Sequence, residues 1–149
     1  MSNHHTLFDQ LNIVAADLDA TLDFYRRLGL EIPDDGVWRT ASGAHHAQVK
    51  VPGGADLEFD SEALARQYNR GTSTEPRATS RNVIGLRVPN RDDVDTLYRA
   101  LTAAGAPSRQ PPYDTFWGSR YAIIADPDGN QVGLMSPPDP AKRSAPPEI

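Results

Sequence analysis

An aromatic segment late in the chain holds the side chains best suited to binding a flat molecule. The segment YDTFWGSRY contains Tyr113, Phe116 and Trp117. An indole offers a large apolar face and one N–H donor, which suits flat heteroaromatic ligands. Trp117 is therefore a candidate binding residue, with the alternative that its ring only packs the loop against a sheet. Trp38 is a second candidate, and the strand face that it occupies is left open.

Charged side chains within predicted strands form a second group of candidates. Arg87 stands where a strand would favour an apolar residue, and its guanidinium can pair with Glu58 or Asp60, bind a ligand oxygen, or remain solvated. The adjacent histidines His45 and His46 would point to opposite faces of a strand. An exposed loop or strand-edge pair is therefore the simpler interpretation of the two histidines than a metal site.

Several classes of chemistry are disfavoured by what the sequence lacks. The 149 residues contain no cysteine, which removes disulfides, thiolate zinc sites and cysteine nucleophiles. No G-x-S-x-G elbow or phosphate-binding loop is present, and PGG at residues 52–54 predicts a turn. The net charge of −5, without a dense Lys/Arg cluster, argues against nucleic-acid binding. No membrane span or signal pattern is visible, so we expect a cytoplasmic location and no membrane partner.

The two halves of the chain repeat one pattern. The segment LNIVAADLDATLDFYRRL from Leu11 aligns with IGLRVPNRDDVDTLYRAL from Ile84, and each predicts a short apolar strand followed by a helix. Asp17 or Asp19 can cap the first helix, and Asn90 or Asp92 the second. The glycines that end the two helices are Gly29 and Gly105.

Strand-like sequence follows each helix and completes the repeat. In the first half the predicted strands are 37–41, 47–51 and 56–60, separated by SGAHH and PGGA. In the second half they lie after Pro107, where proline obscures the strand, and at 120–125 and 131–135. The fold class is therefore α+β with two βαβββ modules, module one at about 7–69, a loop at 70–82 and module two at about 83–136. Flexible tails are predicted at 1–6 and 139–149.

The last two strands raise a question about Gly133. DPDGN, residues 126–130, has the composition of a tight turn, with Pro127 fixing φ and Gly129 able to take positive φ. Strand alternation sends Val132 and Leu134 to the core and Gly133 to the opposite face. A glycine within a strand often marks close approach of a ligand or backbone, so we expect Gly85 and Gly133 to leave room for a ligand. The same face is predicted to carry Phe8, Gln10, Asn12, Val14, Asp56, Glu58, Asp60, Val83, Arg87, Gln131 and Met135.

These features together resemble the vicinal oxygen chelate superfamily, which includes glyoxalase I, extradiol dioxygenases and bleomycin-resistance proteins. The resemblance is carried by the paired modules, the DPDGN hairpin, FYRRLGLEIP at residues 24–33 and WGSRYAIIADPDGN at residues 117–130. The last two motifs look closest to mitomycin- and bleomycin-binding resistance proteins. The resemblance covers about residues 7–138 as a single domain. It implies curved mixed sheets around a cup, a small-molecule ligand and a homodimer.

The resemblance also implies where a metal would be held. Metal-using members place His or Gln on the first strand of each module and Glu on the last, which corresponds here to Gln10 and Glu58 in module one. The matching positions in module two are Val83 and Gly133, which offer no donor side chain. We therefore expect no metal cofactor, although Gln10 and Glu58 remain candidates for a weak divalent ion.

The sequence favours a metal-independent binding protein that sequesters a planar, antibiotic-like molecule. One alternative is a metal-dependent lyase, isomerase or dioxygenase with a reduced site, or a metal-free catalyst with Glu58 as base. Another is a regulatory module whose pocket is filled by its own side chains. The residues predicted to bind ligand are Trp117, Tyr113, Trp38, Arg87, Glu58, Gln10, Asn12, His46 and Met135, with His46 and Tyr113 adding hydrogen bonds at the rim.

Overall fold

The computed structural model describes residues 9–52, 54–68 and 82–145. The chain divides into two compact units, Met1–Glu75 (unit 1) and Pro76–Ile149 (unit 2). Unit 1 contains β1 (Gln10–Ala15), α1 (Leu18–Arg27), β2 (Trp38–Thr40), β3 (Gly43–Val49), β4 (Asp56–Ser61) and α2 (Glu62–Tyr68). Unit 2 contains β5 (Val83–Arg87), α3 (Arg91–Ala103), β6 (Ser108–Asp114), β7 (Arg120–Ala125) and β8 (Gln131–Met135).

Unit 1 is a four-stranded mixed sheet in the order β1-β4-β3-β2, with β1 parallel to β4. The α1 helix begins at Asp17, whose carboxylate accepts a bond from the Ala20 amide at 3.0 Å. It ends before Gly29, whose φ of +94° closes the last turn. The buried face of α1 packs on the sheet, and the Tyr25 and Phe59 rings lie 4.8 Å apart. This packing forms the core of unit 1.

Unit 2 repeats this arrangement in the order β5-β8-β7-β6, with β5 parallel to β8. Asn90 caps α3 by accepting a bond from the Asp93 amide at 3.0 Å, and Gly105 follows the helix with φ +100°. The α3 helix covers one sheet face, where Val132, Leu134 and Val94 are fully buried. Of the two candidates predicted for each cap, the structure confirms Asp17 and Asn90.

The β7–β8 turn is held by one carboxylate. Asp126 accepts bonds from the backbone amides of Asp128 at 3.0 Å and Asn130 at 2.8 Å, and from the Asn130 side chain at 2.9 Å. Gly129 has φ +84°, as the turn chemistry predicts. The turn fixes the antiparallel register in which Ile123 opposes Gly133 and Tyr121 opposes Met135.

Three elements differ from the predictions. The α2 helix was not predicted, although Ser61 caps it through the Leu64 amide at 3.2 Å and EALAR favours a helix. The predicted turn SGAHH is wrong beyond Ser42, because β3 begins at Gly43 and includes His45 and His46 as an inner strand. The proline-rich segment forms β6 at the sheet edge, where missing amide donors are tolerated.

The predicted C-terminal tail is anchored where the structure describes it. The Asp139 amide donates to the Gly118 carbonyl at 3.1 Å, and the Ser144 amide donates to the Phe116 carbonyl at 2.9 Å. Between these two contacts, Pro140–Lys142 forms a 3-10 turn. Phe8, the N-terminal tail and residues 69–81 of the connecting loop lie outside the described residues. Within the described ranges, no helix is long and apolar enough to span a membrane.

Candidate functional site

Each sheet has a second face that lies opposite the face packed by α1 or α3; we call it the open face of that unit. In unit 2 it carries Gly85, Arg87, Tyr121, Gly133 and Met135, because these positions alternate with the buried residues of the α3 side. This confirms the prediction of which β5 and β8 residues face away from the core. In unit 1 the same alternation holds, although Leu11 on the α1 side is 39% exposed at the start of edge strand β1.

Four rings of unit 2 form an aromatic cluster, Tyr113, Phe116, Trp117 and Tyr121. The Trp117 ring lies 5.0 Å from Phe116, edge-on, and 6.2 Å from Tyr121, while Tyr113 and Tyr121 are 6.0 Å apart. Tyr113 is 38% exposed and Phe116 40% exposed. The cluster therefore offers aromatic surface to solvent rather than closing on itself.

Tyr121 explains why position 133 is a glycine. A Cβ on Gly133 would lie 2.7 Å from the Tyr121 hydroxyl oxygen and 2.8 Å from the Cε2 atom of the ring. The expectation that Gly133 is left clear for a ligand is therefore wrong, because the phenol ring occupies that space. Burial, together with nearby Tyr113, raises the pKa of the Tyr121 phenol. At Gly85, by contrast, an added Cβ would meet nothing within 4 Å.

The loop that carries Trp117 is fixed on three sides. Within the loop, the Thr115 amide donates to the Ser119 carbonyl at 2.9 Å. Arg91 at the start of α3 donates to the Gly118 carbonyl at 3.0 Å, and the C-terminal contacts of Asp139 and Ser144 complete the support. Gly118 itself has φ +94°, and a Cβ there would lie 2.3 Å from the Asp139 carbonyl oxygen. These hydrogen bonds fix the position of the loop that carries Trp117.

Arg87 lies at the end of β5, exposed and opposite Met135. No ion pair joins it to another described residue of unit 2. The pairing with Glu58 or Asp60, which belong to unit 1, and the pairing with a ligand oxygen both stay predictions.

The open face of unit 1 is polar, and its centre is the buried carboxylate of Asp60, which is 3% exposed. This carboxylate accepts bonds from Asn12 Nδ2 at 2.8 Å, His46 Nδ1 at 2.7 Å and the Tyr68 hydroxyl at 2.5 Å. We call these four residues the Asp60 network. Of the predicted site residues, the structure brings together Asn12 and His46 here, joined by Asp60 and by Tyr68 of α2.

The charges in the Asp60 network follow from these bonds. Burial opposes ionisation of Asp60, but the bonds from Tyr68, His46 and Asn12 outweigh burial and lower the pKa of the carboxyl. Burial and the bond to Asp60 raise the pKa of Tyr68 to about 12. The network therefore holds an anionic acceptor at ordinary pH, beside a Tyr68 phenol that stays protonated.

The remaining polar residues of this face lie farther along the strands. Gln48 donates to Asp56 at 2.9 Å and to Glu58 at 3.2 Å, and the Lys50 ammonium lies 2.5 Å from Asp56. The hydrogen bond that Lys50 donates to Asp56 raises the pKa of Lys50. Gln10 is exposed opposite Asp56.

Trp38 lies at the far edge of the same sheet. It pairs with His46 in the strand register, but its ring lies 5.1 Å from His45 and is 52% exposed. Its role in binding stays a prediction.

Comparison with known proteins identifies the family. A sequence model of the Glyoxalase/Bleomycin resistance protein/Dioxygenase superfamily matches residues 7–134. The chain belongs to this superfamily. Its fold is the glyoxalase/bleomycin-resistance fold, as the resemblance implied, with the two modules that the repeated sequence predicted. No curated protein matches the chain.

Solved structures support the fold of this superfamily member. A glyoxalase-related enzyme from Fulvimarina pelagi is similar with a TM-score of 0.70 and 20% identity, covering 94% of this chain and 96% of its own. A family enzyme from Burkholderia phytofirmans PsJN gives 0.69 and 20%, covering 87% and 97%. A lactoylglutathione lyase from Agrobacterium tumefaciens gives 0.59 and 21%, covering 89% and 95%. At these identities the likeness shows the fold alone.

The superfamily's metal positions can now be located in the strand register. The diagonal pair Gln10 and Glu58 in unit 1 corresponds to Val83 and Gly133 in unit 2, because β1–β4 and β5–β8 share one register. Val83 is apolar and 44% exposed, and the Tyr121 ring stands over Gly133. Among the described residues, no three His, Asp or Glu side chains cluster as a metal site. Val83 and Gly133 therefore add no donor side chain to Gln10 and Glu58.

Three site features were missed in the sequence. Tyr121 belongs to the aromatic segment YDTFWGSRY. Strand alternation on either side of the β7–β8 turn puts Tyr121 and Gly133 on the same sheet face, and this signal was available in the sequence. Asp60 was placed on the open face and considered as a partner for Arg87, but it was not named as a site residue. Tyr68 had no usable signal, since the helix that carries it was not predicted.

Proposed function

We propose that the protein is a metal-independent binding protein that takes a flat aromatic small molecule on the aromatic cluster of unit 2. The observation that carries the proposal is the exposed rings of Tyr113 on β6 and Phe116, which lie beside the half-buried Trp117 ring on a loop held by hydrogen bonds. Rigid aromatic rings give large contact area at little cost in conformational entropy. The resemblance to mitomycin- and bleomycin-binding resistance proteins supports a planar, antibiotic-like ligand.

Metal independence is proposed because two of the four ligand positions that the resemblance implies, Val83 and Gly133, carry no donor side chain. A carboxylate at position 133 would need the space that the Tyr121 ring occupies. A hard divalent ion needs several oxygen or imidazole donors, whereas Gln10 and Glu58 together supply only two. Elemental analysis of the purified protein after dialysis tests this point. Near-stoichiometric zinc, nickel, manganese or iron would contradict it and favour the lyase, isomerase or dioxygenase alternative.

The binding test uses menadione, a flat naphthoquinone, in the Trp38→Phe variant, so that Trp117 is the single fluorescent indole. We expect saturable quenching by menadione and none by decalone, a saturated two-ring ketone. Because the chain has no cysteine, the quinone cannot alkylate a thiol.

Calorimetric titration then compares the wild type with Trp117→Ala. Loss of the stacked indole should weaken menadione binding about tenfold or more, with the fold retained by circular dichroism. Equal affinity in the wild type and Trp117→Ala removes Trp117 from the site.

A second candidate function is favoured by the Tyr121 ring, which stands where a bound group would otherwise lie. In this case the protein is a regulatory or interaction module, and its own side chains fill the pocket. It predicts no menadione binding by the wild type and a gain of binding in Tyr121→Ala. The homodimer that the resemblance implies is tested separately by analytical ultracentrifugation.

A further inference from the structure

In the Asp60 network, the partly exposed His46 side chain connects the buried Asp60 carboxylate to solvent. Asp60 accepts three hydrogen bonds, and two of its donors, Asn12 and Tyr68, are neutral amide and phenol groups. The third donor is the His46 ring, whose side chain is 36% exposed. Because a carboxylate only accepts, His46 Nδ1 carries the proton of this bond, and in the neutral tautomer that has this proton, Nε2 is an acceptor.

The neighbouring histidine shows that this arrangement is specific to position 46. His45 uses both ring nitrogens in bonds to neutral hydroxyls, with Nε2 2.7 Å from Thr40 Oγ1 and Nδ1 3.1 Å from Ser61 Oγ. His46 Nε2, in contrast, has no hydrogen-bond partner among the residues that the structure describes. His45 is thus engaged on both sides, whereas His46 is oriented on one side and available on the other.

We propose that His46 and Asp60 form a proton-accepting site that binds an organic molecule through an acidic hydroxyl, as in a phenol or enol. The hydroxyl proton moves to His46 Nε2, and the electron pair of the O–H bond stays on the ligand oxygen. The products are an imidazolium, still bonded to Asp60 through Nδ1, and a ligand oxyanion paired with it. No oxidant or further reactant is needed. This site lies in unit 1 and does not depend on the aromatic cluster.

The surroundings of His46 favour this charge separation. The ionised Asp60 carboxylate stabilises the imidazolium, and Tyr68 stays protonated because the pKa of its phenol is raised to about 12. Asn12 adds a second feature, since its Oδ1 atom is buried and has no partner among the described residues. A buried acceptor without a partner calls for a donor, which a second ligand hydroxyl or a water would supply.

The test uses para-nitrophenol, whose anion is yellow, at a pH where the free compound is mostly protonated. Binding beside an imidazolium should raise the phenolate-to-phenol ratio of the bound compound about tenfold. We therefore expect phenolate absorbance to increase saturably with wild-type protein. His46→Gln keeps a polar side chain without a basic nitrogen and should abolish the increase. The matched control His45→Gln changes the adjacent ring on the other face and should keep it.

Two further variants separate this proposal from the proposed function. Asp60→Asn, if folded by circular dichroism, should lose most of the increase because the imidazolium loses its carboxylate. Trp117→Ala should keep the increase, whether or not menadione binding proves correct. No absorbance change with the wild type, or an unchanged increase in His46→Gln, would overturn the proposal.

Discussion

The two units place different chemistry on one scaffold. Each has a capped helix, a four-stranded mixed sheet and the same register between its first and last strands. In unit 1 that register sets Asn12 beside Glu58, with Asp60 two residues farther along β4. In unit 2 the equivalent positions set Gly85 beside Gly133, with Met135 beyond. The backbone therefore fixes where side chains stand, while the residue at each position decides whether the face presents charged groups or aromatic rings.

The two open faces also differ in how their side chains are packed. Unit 1 stabilises a buried carboxylate with donors from β1, β3 and α2. Unit 2 has no charge at the equivalent position and uses a glycine to admit a tyrosine ring. One face tolerates a buried anion only because it is fully hydrogen-bonded; the other tolerates a bulky ring only because its neighbour lacks a Cβ.

The largest expected effect comes from removing the centre of the unit 1 face. Asp60→Ala leaves Asn12, His46 and Tyr68 without their common acceptor, so the free energy of unfolding should fall by about 3 kcal/mol. Met135→Ala, at the equivalent position of unit 2, should cost about 1 kcal/mol because it removes only partly buried apolar surface. Urea unfolding measures both. Equal losses would contradict the distinction between the two faces.

The next effect tests the ring above Gly133. Gly133→Ala should cost about 1–3 kcal/mol, because the new Cβ displaces the Tyr121 ring. Gly85→Ala, on the paired strand with open space at its Cβ, should be neutral or stabilising by about 0.5–1 kcal/mol. In a Tyr121→Ala background the cost of Gly133→Ala should largely disappear. If it persists there, the ring is not the reason for the glycine.

The smallest effect is the response to acid. The pKa of Asp60 is lowered in the folded chain, so its stabilising contribution is complete above its ordinary pKa of 3.8 and is lost as pH falls through the folded value. In unit 2, the Asp95 pKa is also lowered, by the hydrogen bond from Arg120, but this pair is more exposed. Asp60→Asn should therefore reduce the fall in the free energy of unfolding below pH 3.8 more than Asp95→Asn does. Urea unfolding from about pH 7 to about pH 3 measures both variants; a larger change in Asp95→Asn would contradict the assignment.

Much of the fold could be predicted because its signals are local. Asp17 and Asn90 precede helical periodicity, Gly29 and Gly105 follow it, and DPDGN marks its turn within five residues. The α2 helix was missed because the predicted βαβββ order of module one ends at the strand that corresponds to β4. The His45–His46 pair was misplaced because SGAHH has turn composition, whereas pairing with β4 draws Gly43 and the histidines into a strand.

The sequence by itself determined the repeat, the helix ends, the strand alternation and the absence of donor side chains at Val83 and Gly133. Each of these depends on residues close in the chain or on residue identity alone. Only the tertiary structure decided that Tyr121 covers Gly133 and that Asp60 gathers Asn12, His46 and Tyr68. These contacts join strands separated by as many as 48 positions in the sequence. The register and side-chain packing that create them arise only when the sheets assemble, because strand parity indicates which residues share a face but not which of them touch.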